Sequence, residues 1–188
     1  GAPISPTHGR ACGPIAVLNH LSSVSTMITQ GGKRHGANMG ILHVSHPEVM
    51  EFIHMKDDDE TAQNFNISVA LDKKFMDAVK NKEKYDLINP RGGSVTGQLQ
   101  ADEVFDEMVN NAWKSGDPGF VVIDRINNTD SNPTPAQGQI ESTNPCVTGD
   151  TLISTEKGLM RMEELVTNYA EGGVKIATDS RVPIELKN

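Results

Sequence analysis

What the 188-residue sequence has little of narrows its class first. Its two cysteines, Cys12 and Cys146, are too few for a disulfide framework, which points to a reducing, cytoplasmic setting. Basic charge is scarce: 17 Lys and Arg stand against 25 Asp and Glu, and the formal net charge of −8 argues against a direct grip on nucleic acid. No apolar run approaches the length that spans a bilayer and no signal-like start is present, so no membrane partner is expected. The sequence also opens at Gly1-Ala2-Pro3 without a Met, which suggests a piece of something longer.

What is there alternates helix and strand signals. Residues 1–14 carry three prolines and three glycines and read as a loop. Cys12 closes it; His8 and Arg10 are near enough in sequence to activate a thiol, but the expected role is a small buried residue packing a turn. Pro14 opens a helix in which Ile15, Leu18, Leu21, Val24 or Ser25, and Ile28 form one buried face ending near Gln30. The glycine-rich stretch from Gly31 to Gly40 surrounds Lys33, Arg34 and His35 and reads as a mobile loop whose backbone can approach a ligand. It lacks the Gly-Lys-Ser/Thr ending of a P-loop and does not follow a strand, so a Walker-type site is disfavoured.

Residues 41–44 read as a strand, with Ser45 as N-cap and Pro47 in the first turn of a helix through Met55. A strand over 64–71 follows, then a helix capped by Asp72 with Phe75, Met76 and Val79 inside. Another strand covers 85–88 and turns at 89–93. The helix over 101–114 is expected to bury Val104, Phe105, Met108, Val109 and Ala112 and to stop at Gly116. Phe120-Val121-Val122-Ile123 is a continuous apolar run, as in a strand covered on both faces, and a Pro/Asn/Gly loop runs on to Ile140. His43, His46 and His54 do not have zinc spacing, and 57–60 lacks the alternation and central glycine of a calcium loop, so no metal site is expected. The alternation favours an α/β fold, a sheet or barrel with helices outside, although four strand candidates cannot close a barrel.

Six motifs then accumulate in order. Gly-Ala-Pro-Ile at 1–4, Gln-Gly-Gly-Lys-Arg-His-Gly-Ala-Asn-Met-Gly at 30–40, His-Pro-Glu at 46–48, Asn-Phe-Asn-Ile-Ser-Val at 64–69, Gly-Asp-Pro-Gly at 116–119 and Ser-Thr-Asn-Pro-Cys at 142–146 resemble the large subunit of ribonucleotide reductase. The spellings Gly-Ala-Asn-Met-Gly and Asn-Pro-Cys look most like the adenosylcobalamin-dependent class II enzymes, with class I left open. The resemblance implies a ten-stranded α/β barrel, of which residues 1–145 would be a part, with a thiyl cysteine on a central finger loop. It implies that Gln30, Gly31, Gly32, Lys33, Arg34, His35 and Gly36 form the specificity loop between effector and substrate base. Asn144 would orient a ribose hydroxyl, and adenosylcobalamin would be the cofactor. The implied partners are a ribonucleotide, di- or triphosphate, a deoxynucleotide or ATP effector, a thioredoxin-like reductant, and room for a homo-oligomer.

The family expects Gly-Glu after the cysteine, the Glu serving as base for the 3′-hydroxyl. Here Val147-Thr148 stand instead. Cys146-Val147-Thr148-Gly149-Asp150-Thr151, with Leu152-Ile153-Ser154 and the run from Gly158 to Leu165, resembles the N-terminal splicing block of inteins. Residues 146–188 would then begin a small β-rich Hint domain. Cys146 would attack its own preceding carbonyl across the Pro145–Cys146 junction. The Thr-x-x-His block and His-Asn ending that splicing needs do not occur before Asn188, so the chain by itself is expected to be inactive in both reactions. Two other readings are a split-intein precursor that acts in trans and a nucleotide-binding regulatory fragment resting on the glycine-rich loop.

Overall fold

Two hydrophobic strands with the same pleat phase organise the first part of the chain, and its hydrophobic core lies on one side of them. The computed structural model describes residues 3–4, 9–27, 29–30, 34–35, 37–58, 61–143, 148–169, 175–176 and 184–185. In order these form β1 (Pro3–Ile4), β2 (Gly9–Arg10), α1 (Gly13–Met27), β3 (Thr29–Gln30), β4 (Arg34–His35), β5 (Asn38–His43), α2 (Val49–Ile53), β6 (Phe65–Leu71), α3 (Lys73–Asn81), β7 (Lys84–Ile88), β8 (Val95–Gln100), α4 (Ala101–Ser115), β9 (Gly119–Val122) and α5 (Ile123–Asn127). A 3-10 turn at Pro135–Gln137 precedes β10 (Leu152–Thr155), β11 (Gly158–Arg161), α6 (Met162–Tyr169), β12 (Lys175–Ile176) and β13 (Ile184–Glu185). The chain divides into two compact units, Gly1–Thr143 and Asn144–Asn188.

In the first unit β5, β6 and β9 make a parallel sheet in that order, β6 central. The register pairs Ile41 with Ser68, His43 with Ala70, Ser68 with Gly119 and Ala70 with Val121. Since directly paired residues of parallel strands share a face, one face carries Leu42, Ile67, Val69, Leu71, Phe120 and Val122, and the other Ile41, His43, Ser68, Ala70, Gly119 and Val121. Ile67, Val69 and Leu71 are buried in one core with Val49, Phe52, Phe75, Val104 and Met108. Burying each such side chain contributes about 1.5–3 kcal/mol. The other face is built from small residues at its centre, and no helix of that core covers it.

Local chemistry sets the element ends. Asp72 caps α3, its Oδ1 accepting from Phe75 N–H at 2.7 Å, and Lys82 closes the helix in the left-handed region. Gly116, at φ 84, ends α4. Tyr85 of β7 donates its hydroxyl to Val44 O at 3.1 Å and meets Phe75 edge-on, which ties the β7–β8 hairpin to the end of β5. Lys56 bridges the starts of β6 and β9: its ammonium reaches Phe65 O and lies 2.9 Å from Asp117 Oδ2.

Several expectations are corrected. β8 was not foreseen, because Thr96, Gly97, Gln98 and Gln100 give it a polar composition; β7 supplies its pairing. The helix expected from Pro47 to Met55 is only α2, with turns from Val44 to Glu48. In α4 the inward residues are Ala101, Val104, Met108 and Asn111, so Val109 lies 52% exposed. Asn111 was overlooked as polar; it is 1% exposed, and its Nδ2 donates to Ile53 O and Asp57 Oδ1, both at 3.0 Å. Phe120 is 61% exposed, since β9 is the sheet's edge strand and not a strand covered on both faces. Leu21 of α1 is nearly half exposed, and Cys12 is exposed instead of buried in a turn. Thr29 pairs with His35 and Gln30 with Arg34 in a short antiparallel ladder, where the end of the first helix and a mobile loop are expected.

The second unit is a four-stranded sheet in the order β11-β10-β12-β13 with α6. Its hairpin turn is held by Thr155, whose hydroxyl donates to Gly158 O at 2.7 Å and accepts from Lys157 N–H at 3.1 Å. The start of α6 donates back to the preceding turn, Met162 N to Thr151 O at 2.8 Å and Glu163 N to Gly149 O at 2.9 Å. Two N–H groups that a helix start leaves without intrahelical partners are thereby satisfied.

Candidate functional site

Parallel strands deliver the residues that follow them to one edge, the edge where α/β sheets place their sites. At the end of β5, His43 Nδ1 accepts from Ser45 N–H at 3.2 Å and lies 2.8 Å from Ser45 Oγ. In the neutral ring the proton therefore stays on Nε2, which faces Asp72 Oδ2 at 3.7 Å, just past β6. After β9, Asp124 Oδ2 accepts from Lys73 N–H at 2.8 Å, linking α5 to the start of α3.

The chain after α5 then turns back over this edge. Asn127 Nδ2 donates to Ile140 O at 2.9 Å while its Oδ1 accepts from Ile140 N–H at 2.6 Å. Asn132, 5% exposed, donates to Gly138 O at 3.0 Å and accepts from Thr134 N–H at 3.0 Å. Two carboxamides thus stand in for the secondary structure that this proline-rich segment lacks, satisfying backbone groups that would otherwise have no partner. Residues 139–141 are brought against the face that no helix of the core covers. There Gln139, Ile140 and Glu141 line a cavity of about 260 Å³ together with His43, Ala70 and Asp124. The cavity offers a carboxylate, amides and an imidazole beside apolar walls, enough to hydrogen-bond a polar ligand on one side and exclude water on the other.

Of the residues singled out from sequence, Asn144, Pro145 and Cys146 lie outside the described residues, as do Gly31, Gly32, Lys33 and Gly36. Gln30, Arg34 and His35 are placed in the β3–β4 ladder. Asn127 and Asn132 were missed. The signal for them was present: a long loop without periodicity between an apolar strand and a cysteine motif requires side chains to bind its backbone. Among the described residues no three His, Cys, Asp or Glu side chains are arranged to hold a metal ion, and no helix is long and apolar enough to cross a membrane.

Comparison with known proteins adds the following. The family described as ribonucleotide reductase, barrel domain, matches residues 1–148. A vitamin B12-dependent ribonucleoside-diphosphate reductase of Thermoplasma acidophilum is 43% identical over 144 residues, covering 76% of this chain and 18% of that protein. One of Mycobacterium tuberculosis H37Rv is 38% identical over 147 residues, covering 78% of this chain and 20% of the relative. The ribonucleoside-diphosphate reductase NrdEB subunit alpha of Bacillus subtilis 168 is 24% identical over 210 residues, covering 96% of this chain and 19% of the relative. The chain spans about a fifth of the length of the curated relatives it matches. The Bacillus match runs past residue 148: 96% of 188 residues is about 180, so at least some 32 of them lie beyond the family match.

Proposed function

Since this chain belongs to the ribonucleotide reductase barrel-domain family, we propose that it is part of a catalytic subunit that reduces ribonucleotides to deoxyribonucleotides by thiyl-radical chemistry. The observation that carries this reading is the placement of residues 139–141. The segment that leads into Asn144, Pro145 and Cys146 is anchored against the small-residue face of a parallel sheet, at the ends of its strands. A sulfur radical that takes the ribose 3′ hydrogen, forming S–H and leaving a carbon radical, needs a rigid and water-poor mounting of this kind. In this reading Asn144 binds a ribose hydroxyl, and Gln30 to Gly36 relay effector identity to the substrate base.

The family's cofactor, adenosylcobalamin, would supply the initiating radical. The cavity beside His43 is about 260 Å³ and another, beside α1, about 460 Å³; both are of the size that drug-sized ligands fill and too small for a corrin with its nucleotide. These residues do not fit the cofactor on their own, and no step is derived through it. A thioredoxin-like reductant, a deoxynucleotide or ATP effector, a homo-oligomer and a cytoplasmic location complete the proposal. It is tested by assaying the full-length protein with ribonucleotides, adenosylcobalamin and a dithiol: deoxynucleotide formation is expected, and its absence on every ribonucleotide would sink the reading. This chain alone should form none, because its cysteine is followed by Val147-Thr148 and not by the carboxylate.

A second activity is favoured by that same departure. We infer that Cys146 begins an intein of the Hint type and that residues 1–145 are its N-terminal flank. The thiol would attack the Pro145 carbonyl; the C–N bond breaks, a C–S thioester forms, and the thiol proton passes to the freed amine. Support comes from the family match ending at 148 and from the separate compact unit after Thr143. The coding sequence beyond Asn188 should contain His-Asn followed directly by Cys-Gly-Glu. If barrel sequence continues there without that junction, the intein reading fails. Thiol-induced cleavage between Pro145 and Cys146 only on addition of a C-terminal intein piece would mark the split, trans-acting form.

A further inference from the structure

We propose that Asn127 is a positioning residue for the cysteine loop, its carboxamide fixing the backbone of Ile140 and with it the path of the chain into Asn144. The inference rests on the reductase reading and adds a residue to it. Three facts carry it. Asn127 pairs with Ile140 as an opposed strand residue would, one bond in each direction, at 2.6 and 2.9 Å. The same Nδ2 is 3.2 Å from Ile123 O, so the latch is fastened to the first residue of α5, directly after β9. Asn132 adds its own Nδ2, 3.4 Å from Asn127 Oδ1, and holds Gly138 two residues before the latch.

Ile140 stands six residues before Cys146. Holding Ile140 fixes one end of the short tether that carries this cysteine, or the one that takes its place once an insert is removed, and a hydrogen transfer with ångström-scale tolerance needs that end fixed. Alternatives to the carboxamide are few. The site needs a donor and an acceptor on one short planar group, and of the side chains only Asn and Gln carry both as an amide. Aspartate keeps the acceptor for Ile140 N–H but turns an oxygen toward the carbonyls of Ile140 and Ile123. Protonating that oxygen restores the donor.

The test uses the full-length reductase, freed of any insert, with wild type, Asn127→Ala and Asn127→Asp compared. Asn127→Ala should lower kcat about 10- to 100-fold while leaving KM for the ribonucleotide within about twofold, because substrate binding is spared and reach is lost. Asn127→Asp should be similarly slow at neutral pH and recover toward wild type as pH falls, with the ratio for Asn127→Ala staying flat. A merely structural role predicts loss of folded protein with neither the kcat-only effect nor the acid recovery. Amide exchange in the present chain gives the second readout: Ile140 should lose protection in Asn127→Ala, while Val69 and Leu71 of β6 keep theirs. Wild-type turnover with kcat for Asn127→Ala within about twofold of it overturns the positioning role. Wild-type protein that reduces no ribonucleotide overturns the reductase reading itself, and the two failures are told apart by the wild-type control. If Asn127→Ala does not fold, Asn127→Asp decides, and the absence of any acid recovery in it counts against the proposal.

Discussion

Gly119 of β9 pairs with Ser68 of β6, and replacing it with alanine should reveal why the face of the sheet opposite the core is built from small residues. A Cβ added there would lie 2.8 Å from Ser68 Oγ, against about 3.4 Å for ordinary contact, while Ser68 Cβ at 3.9 Å and Ile67 O at 3.8 Å leave it room. Ser68 is 7% exposed on the central strand, paired on both sides, so its backbone cannot retreat and only rotation about χ1 can relieve the overlap. Gly119→Ala should therefore cost about 1–3 kcal/mol as an overpacking substitution. Removing the hydroxyl takes away the offending atom. In a Ser68→Ala background the same change should cost nothing and gain up to about 0.4–1 kcal/mol from the restricted unfolded chain. The coupling between the two sites, about 1–3 kcal/mol, is large enough for a double-mutant cycle from urea unfolding followed by circular dichroism. Equal cost of Gly119→Ala in both backgrounds would refute the steric reasoning and with it the account of this face.

Three further outcomes are expected. Tyr85→Phe removes the hydroxyl from Val44 O without disturbing the edge-on packing against Phe75, so it should cost about 1–2 kcal/mol, read from the shift in urea midpoint at constant slope. Burial lowers the pKa of His46, opposed in part by Glu48 and Glu51, and the neutral ring accepts from Glu48 N–H at 3.0 Å. The unfolded chain then binds the proton more readily, so this contribution is present above about pH 6.5 and is lost as pH falls below it. His46→Asn keeps an acceptor for the same N–H and does not titrate, so its Tm should fall less than that of wild type on acidification. Finally, the exposed Cys12 should react with a maleimide in the folded protein without denaturant; protection equal to that of a buried thiol, measured by mass, would contradict its placement.

Strands with strong apolar character were readable in advance: Phe65–Leu71 and Lys84–Ile88 fall within a residue of their expected starts, and Asp72 caps α3 as its type suggested. The order of helix and strand therefore fixed an α/β reading. What escaped it has a common physical origin. β8 pairs through its backbone with few apolar side chains to announce it, α1 leaves Leu21 nearly half exposed, and Phe120 sits on an edge strand whose apolar run looked like the interior of a sheet. Periodicity reports which side chains could be buried, whereas these elements depend on which backbone or neighbour is there to meet them.

The same limit explains the candidate site. His43 and Asp72 come together because β5 and β6 end side by side, a relation of register that spacing along the chain does not contain. Asn111, Asn127 and Asn132 each commit their amides to backbone groups of segments distant along the chain or lacking their own pairing: Ile53 O, both polar atoms of Ile140, and Gly138 O. A polar side chain in such a role breaks a helical face or vanishes into a loop when it is scored by hydropathy, yet leaving those backbone groups unpaired would cost about 1–3 kcal/mol apiece. Asparagine is the residue that can do this, because it presents the donor and acceptor of a peptide group one carbon from the chain. A loop that must carry a reactive cysteine to a fixed place, and that is too rich in proline to join a sheet, therefore needs asparagines of this kind to bind its backbone.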